Sequence, residues 1–176
     1  YLRGDVDYKI DNKKWKIKTA YDIPEFDSTH YTTLCVSKLL EKMSNVKELT
    51  IINPFNGVVV FSSELYLKPE KILILSRDLL SLKYTKENLE DNGFKNFSIE
   101  HRYFSEKSIG NLLIWRLDKD ETQEIIDYKF DIYNKNYKKI IITGKRLDLD
   151  RLVKRKKLRI SDEFSIEKWK SVLILI

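Results

Sequence analysis

Cysteine is nearly absent. Cys35 is the only one in 176 residues, so an internal disulfide, a CxxC redox pair and a cysteine-rich zinc site are all excluded. That usage leads us to expect a reducing, cytoplasmic setting. Histidine is almost as rare. His30 and His101 lie far apart and no HxxxH spacing occurs, so no metal is expected. With five glycines and three prolines, the chain carries neither GxxxxGK[ST] nor GxSxG, which leaves P-loop and hydrolase chemistry unsupported. No stretch approaches the roughly 20 apolar residues of a membrane span. The start, Tyr1-Leu2-Arg3, shows no apolar signal region. No membrane association is expected. Arg3-Gly4-Asp5 spells an adhesion tripeptide, but nothing secretory accompanies it.

What is present suits one intracellular domain. The chain is 42% hydrophobic and 34% charged, with 10 tyrosines, 8 phenylalanines and 3 tryptophans to fill a core. A domain of this size buries roughly 70% of its unfolded surface and needs no staples. The net charge is +6. Its placement is more informative than its size. Between Gly144 and Ile160 stand eight basic residues against only Asp148 and Asp150.

Hydrophobic periodicity then orders the elements. Val6, Tyr8 and Ile10 alternate, as do Trp15, Ile17 and Thr19, which predicts a hairpin turning at Asp11-Asn12-Lys13. Ser28 or Thr29 can cap a helix over 28–43, with Cys35 on its apolar side. Strands are predicted at 49–52, 71–75, 97–101, 111–117 and 139–143. Helices are predicted at 57–67, 79–92 (stopped by Asn92-Gly93), 121–133 and 147–158. Two final strands, 159–166 and 169–176, have no helix between them. Strands joined by helical crossovers imply a parallel sheet, and the helix-free pair an antiparallel edge hairpin.

This order resembles that of class I S-adenosylmethionine-dependent methyltransferases. The likeness is most specific at Glu87-Asn88-Leu89-Glu90-Asp91-Asn92-Gly93, similar to the end of that family's second helix. Trp15–Thr19, Phe26-Asp27 and Thr29–Met43 are similar to the strand, Phe-containing loop and helix that open the small-domain ribosomal RNA guanine methyltransferases. The resemblance implies an α/β, Rossmann-like fold. Its seven-stranded, mostly parallel sheet would end in an antiparallel C-terminal hairpin. A hairpin and helix, residues 1–45, would pack on a core of residues 46–176 as one unit.

The resemblance also implies where a cofactor would sit, and there the motifs depart from the family. Asn53 and Phe55 fall at the first two glycines of a DxGxGxG-type loop, and Gly57 at the last. Phe at a close-approach glycine is expected to fill the pocket. Ser76 takes the place of the ribose-binding acid, with Asp78 two residues on. Asp78 is equally a helix cap. Where the small-domain enzymes carry Asn-Pro-Pro-aromatic, this chain reads Arg116-Leu117-Asp118-Lys119 after Trp115. Asp118 or Asp120 could act as a general base and Trp115 could stack on a nucleobase, or the segment is a strand end before a solvated helix start.

Three departures together lead to the expectation of a methyltransferase-like protein without catalysis and without cofactor. The alternative is an active S-adenosylmethionine-dependent enzyme, on RNA, using Asn53, Gly57, Ser76 and Asp78. In the helix over 147–158, Leu147, Leu152, Val153 and Leu158 would pack inward. Arg151, Lys154, Arg155, Lys156 and Lys157 would then face solvent as a phosphate-binding stripe, or contact an acidic protein partner. Tyr133 and Tyr137 just upstream are aromatics of a kind that stacks on bases. The sequence does not set the oligomeric state.

Overall fold

The computed structural model describes residues 2–44, 46–102 and 110–176. The chain begins with an antiparallel hairpin, β1 (Leu2–Ile10) and β2 (Lys13–Ala20), turned at Asp11-Asn12. Helix α1 (Tyr31–Leu40) follows. Then strands and helices alternate: β3 (Glu48–Ile52), α2 (Val58–Leu67), β4 (Lys71–Ser76), α3 (Leu79–Asp91), β5 (Phe97–His101) and β6 (Leu112–Arg116). The chain closes with α4 (Gln123–Asn136), β7 (Lys139–Lys145), α5 (Arg146–Lys156), β8 (Ile160–Ile166) and β9 (Trp169–Leu175).

The seven strands after the hairpin form one sheet in the order β5-β4-β3-β6-β7-β9-β8. The first five run parallel, while β9 pairs antiparallel with both β7 and β8. This is the predicted architecture. β3, β4 and β6 read as nearly unbroken apolar runs because helices cover both faces of a parallel sheet. Alternation sorts them. Ile51, Ile74, Ile114 and Ile141 join one core with the hairpin, α1 and α2. Ile52, Leu113, Trp115 and Ile142 join the other with α4 and α5.

Helix ends follow their local chemistry. Gly93, at φ 81, ends α3 in a left-handed turn: its N–H donates to Glu90 O and the Phe94 N–H to Leu89 O. Asp78 caps the same helix, accepting from the N–H of Leu80 (2.9 Å) and Ser81 (3.1 Å). The expected cap of α1 needs correction. The helix starts later than Ser28 or Thr29, and His30 caps it, its Nδ1 accepting from the Thr32 N–H at 3.1 Å.

The motif that carried the resemblance acts as a clasp. Asn88 is fully buried in α3. It accepts from the Lys18 N–H (2.7 Å) and donates to Lys18 O (3.0 Å) and Asn56 O (2.9 Å). Asn92 donates to Lys16 O at 3.1 Å. Both asparagines therefore tie β2 to the sheet's helical layer.

Candidate functional site

The loops that leave β3, β4, β6 and β7 meet at the C-terminal edge of the parallel strands, where α/β sheets hold their ligands. They enclose a cavity of about 340 Å³. The first wall is the loop after β3. Asn53, Phe55 and Gly57 have φ of 61°, 58° and 98°. All three positions aligned with family glycines thus adopt the left-handed backbone, two of them with side chains. Asn tolerates that region; Phe is held there at a cost of about 1–3 kcal/mol.

The surroundings show what holds this loop. The Asn53 N–H donates to Leu75 O (2.9 Å), and its side chain donates to Arg116 O (2.9 Å) while accepting from Ser76 Oγ (3.4 Å). It bridges the ends of β4 and β6. Phe55 O accepts from the hydroxyls of Ser81 and Thr85. A Cβ on Gly57 would come within 3.3 Å of the Thr85 methyl, so α3 packs closely there. The half-buried Phe55 ring lines the cavity and packs near Ala20, Ile23 and Tyr84.

The ring also covers a cation. Arg116, the last residue of β6, is 2% exposed and sits with its guanidinium carbon 3.6 Å from the Phe55 ring centroid. Its Nη2 donates to Thr33 Oγ1 of α1 at 2.5 Å, while Nε and Nη1 have no partner among the described residues. Burial lowers its pKa to about 10, against the pull of Glu25, so it stays charged at neutral pH. Glu25 is itself buried, with φ 73; burial pushes its carboxyl up and Arg116 draws it down. Its Oε1 accepts from the His30 N–H at 3.0 Å. His30 lies edge-on to Phe55 and Trp169, and its pKa is pushed down to about 4 by burial, then by Arg116 and Lys168. It is neutral at pH 7. With Nδ1 accepting from a backbone N–H, its proton sits on Nε2.

The expected residues divide between the cavity and elsewhere. Asn53, Phe55, Ser76, Asp78 and Asp118 line it; Gly57 lies behind, against α3. Asp78 is engaged as the α3 cap. Asp118 pairs with Arg77 Nε at 2.8 Å, and Asp120 with Arg77 Nη2 at 3.5 Å. Trp115 corrects the expectation of base stacking. It is 0% exposed, turned to the opposite sheet face and packed edge-on to Tyr133 at 5.0 Å. Tyr133 and Tyr137 are likewise buried, so neither offers a stacking face. Arg116, Glu25, His30 and Trp169 carry no role in the sequence pattern that would place them in this site. Only the unusual arginine ending an apolar strand was there to be noticed.

Helix α5 needs correction too. Leu149 and Leu152 are its buried residues, whereas Leu147 is 59% exposed. Arg155 pairs with Asp127 (2.7 Å) and Lys156 with Asp131 (2.6 Å), both on α4. Arg151, Lys154 and Lys157 remain exposed, with no ion pair among the described residues. Also among the described residues, no group of three potential ligands could hold a metal, and no helix is long and apolar enough to cross a membrane.

Solved structures match this arrangement over most of the chain. A precorrin-6y C5,15-methyltransferase from Geobacter metallireducens aligns at TM-score 0.68 and 10% identity, covering 91% of this chain and 94% of that one. A ribosomal protein L11 methylase from Lactobacillus delbrueckii aligns at 0.63 and 12%, covering 81% and 76%. A Pyrococcus abyssi tRNA (uracil-54, C5)-methyltransferase, solved with S-adenosyl-L-homocysteine, aligns at 0.67 and 10%, covering 99% and 45%. The chain has the class I methyltransferase fold. No protein-family model matches the chain, and no curated protein sequence matches it. The loop 53–57 leaves the first strand of the seven-stranded sheet, and the cavity lies beside it.

Proposed function

We propose that the chain is a methyltransferase-fold protein that has given up methyl transfer and contacts RNA through α5. The carrying observation is the Phe55 ring stacked on buried Arg116 at the cofactor loop. S-adenosylmethionine brings a cationic sulfonium and a ribose diol. The residues present do not fit it. Phe55 stands where a glycine would admit the ligand, and the buried cation Arg116 repels a sulfonium. Ser76 replaces the acid that would accept the ribose hydroxyls, and Asp78 is occupied at the helix end. No step through the cofactor is derived.

RNA contact is supported by the exposed Arg151, Lys154 and Lys157, on or just past the helix whose start borders the cavity. One of the solved neighbours is named as a tRNA methyltransferase. The paired Arg155 and Lys156 contribute less, since binding phosphate would mean giving up Asp127 and Asp131. Filter binding of RNA across a salt series tests this reading. Neutralising Arg151, Lys154 and Lys157 together should flatten the log–log salt slope by roughly two, at about 0.7–0.9 per phosphate contact. An unchanged slope, or no binding at low salt, counts against it.

A second reading is an active enzyme with an unorthodox pocket. It is favoured by the left-handed backbone retained at positions 53, 55 and 57 and by the open cavity beside them. Calorimetry with S-adenosylmethionine and S-adenosylhomocysteine separates the two readings.

A further inference from the structure

We propose that the cleft binds the oxyanion of a small organic ligand, a phosphate monoester or a carboxylate, and that Arg116 recognises it. This stands apart from both RNA contact through α5 and loss of the sulfonium cofactor.

The argument starts from an imbalance. A buried guanidinium with two unpartnered nitrogens carries a desolvation cost that proteins ordinarily cancel with acceptors. Here Thr33 supplies one acceptor, and the opposing carboxylate, Glu25, makes no hydrogen bond to it among the described residues. An oxyanion supplies the missing charge and the missing acceptors together. Two further cations share the lining. Lys119, in the loop after β6, and Lys145, the last residue of β7, stand exposed on the cavity wall. The facing acids Asp78 and Asp118 are committed to the α3 cap and to Arg77; Asp22 and Asp148 remain at the edge.

The rim selects an organic ligand over a bare ion. Seven large hydrophobic residues are exposed among the described ones. Four of them, Tyr21, Tyr31, Leu79 and Leu147, immediately neighbour the lining residues Asp22, His30, Asp78 and Asp148 in the chain. Apolar surface next to the lining in the chain is surface that an organic body could cover.

Phe55 acts as the cover. Its ring closes the approach to Arg116, so an incoming oxyanion displaces the ring from the guanidinium. The ring is only half-buried and rides on a strained backbone, which makes it the movable partner.

The test is calorimetry in phosphate-free, low-salt buffer with three probes: inorganic phosphate, adenosine 5′-monophosphate and succinate. We expect saturable binding of at least one. The monophosphate exceeding inorganic phosphate identifies a phosphate monoester with an organic body; succinate exceeding both identifies a carboxylate. Phe55→Gly should tighten binding by about tenfold, the worth of a partly desolvated cation–π contact. Arg116→Gln should abolish it. Should that variant fail to fold, Lys119→Ala with Lys145→Ala weakens binding at least threefold in a protein of native circular dichroism. Arg151, Lys154 and Lys157 substitutions should leave it unchanged. No binding of any probe to wild type or Phe55→Gly at millimolar concentration overturns the proposal, as does affinity unchanged in a folded Arg116→Gln or in both Phe55→Gly and the double lysine variant.

Discussion

Exchanging Phe55 for alanine and for glycine should reverse the usual ranking of those two residues. At an ordinary position glycine is less stable than alanine by about 0.5–1 kcal/mol, because its unfolded chain has more freedom to lose. At φ 58, alanine keeps the left-handed penalty of roughly 1–2 kcal/mol and glycine escapes it. Both variants lose the ring. Half of a phenylalanine's burial is worth about 1 kcal/mol, and its contact with Arg116 about 1 kcal/mol more. Both variants keep the loop hydrogen bonds, which run through Phe55 O. Phe55→Ala should therefore fall about 2 kcal/mol below wild type and Phe55→Gly about 1 kcal/mol below. Urea unfolding followed by tryptophan fluorescence reads the difference, which corresponds to about 2–4 °C in Tm for a chain of this size. Phe55→Ala as stable as Phe55→Gly, or more so, would refute the claim that this loop holds a glycine's backbone without a glycine.

Other consequences follow from the same geometry. Asp78→Ala removes two capping hydrogen bonds and should cost about 1 kcal/mol, read from the urea midpoint. Asn88→Ala leaves buried groups of β2 and the loop without partners and should cost about 3 kcal/mol. Hydrogen exchange should show the hairpin opening first. His30, held down to about 4 in the folded state against an ordinary 6.5, takes up its proton more readily when unfolded. Its contribution is therefore whole above pH 6.5 and drains away as pH falls toward 4. The urea midpoint should drop between pH 7 and 5, and His30→Asn, which keeps a capping acceptor, should shrink that drop. An equal drop in the variant would assign it to other groups.

The parts of the fold visible in sequence are those with local causes. Leu49–Ile52 and Ile140–Ile142 sit in strands covered on both faces, so their runs are continuous and unambiguous. Asn92-Gly93 stops α3 because a left-handed turn there suits glycine. Continuous runs hide something in exchange. With both neighbours apolar, Trp115 and Arg116 give no sign of which face each takes, and only the assembled layers send Trp115 to α4 and Arg116 to α1. The α5 error is of the same kind. Leu147 and Leu149 fit helical spacing equally, and the sheet edge decides between them. Counting along the chain singled out positions 53, 55 and 57, and all three take the left-handed backbone, the awkward residue Phe55 included. The buried group against Phe55 was not legible in this way, since Arg116 lies 83 residues from the Thr33 that holds it.

Titration calorimetry of the wild-type chain with S-adenosylmethionine tests the central claim most directly. The account predicts no saturable heat at millimolar cofactor, because Phe55 and Arg116 occupy and charge the space against it. A stoichiometric isotherm with micromolar affinity would contradict it, and would restore the loop 53–57 as a working cofactor site.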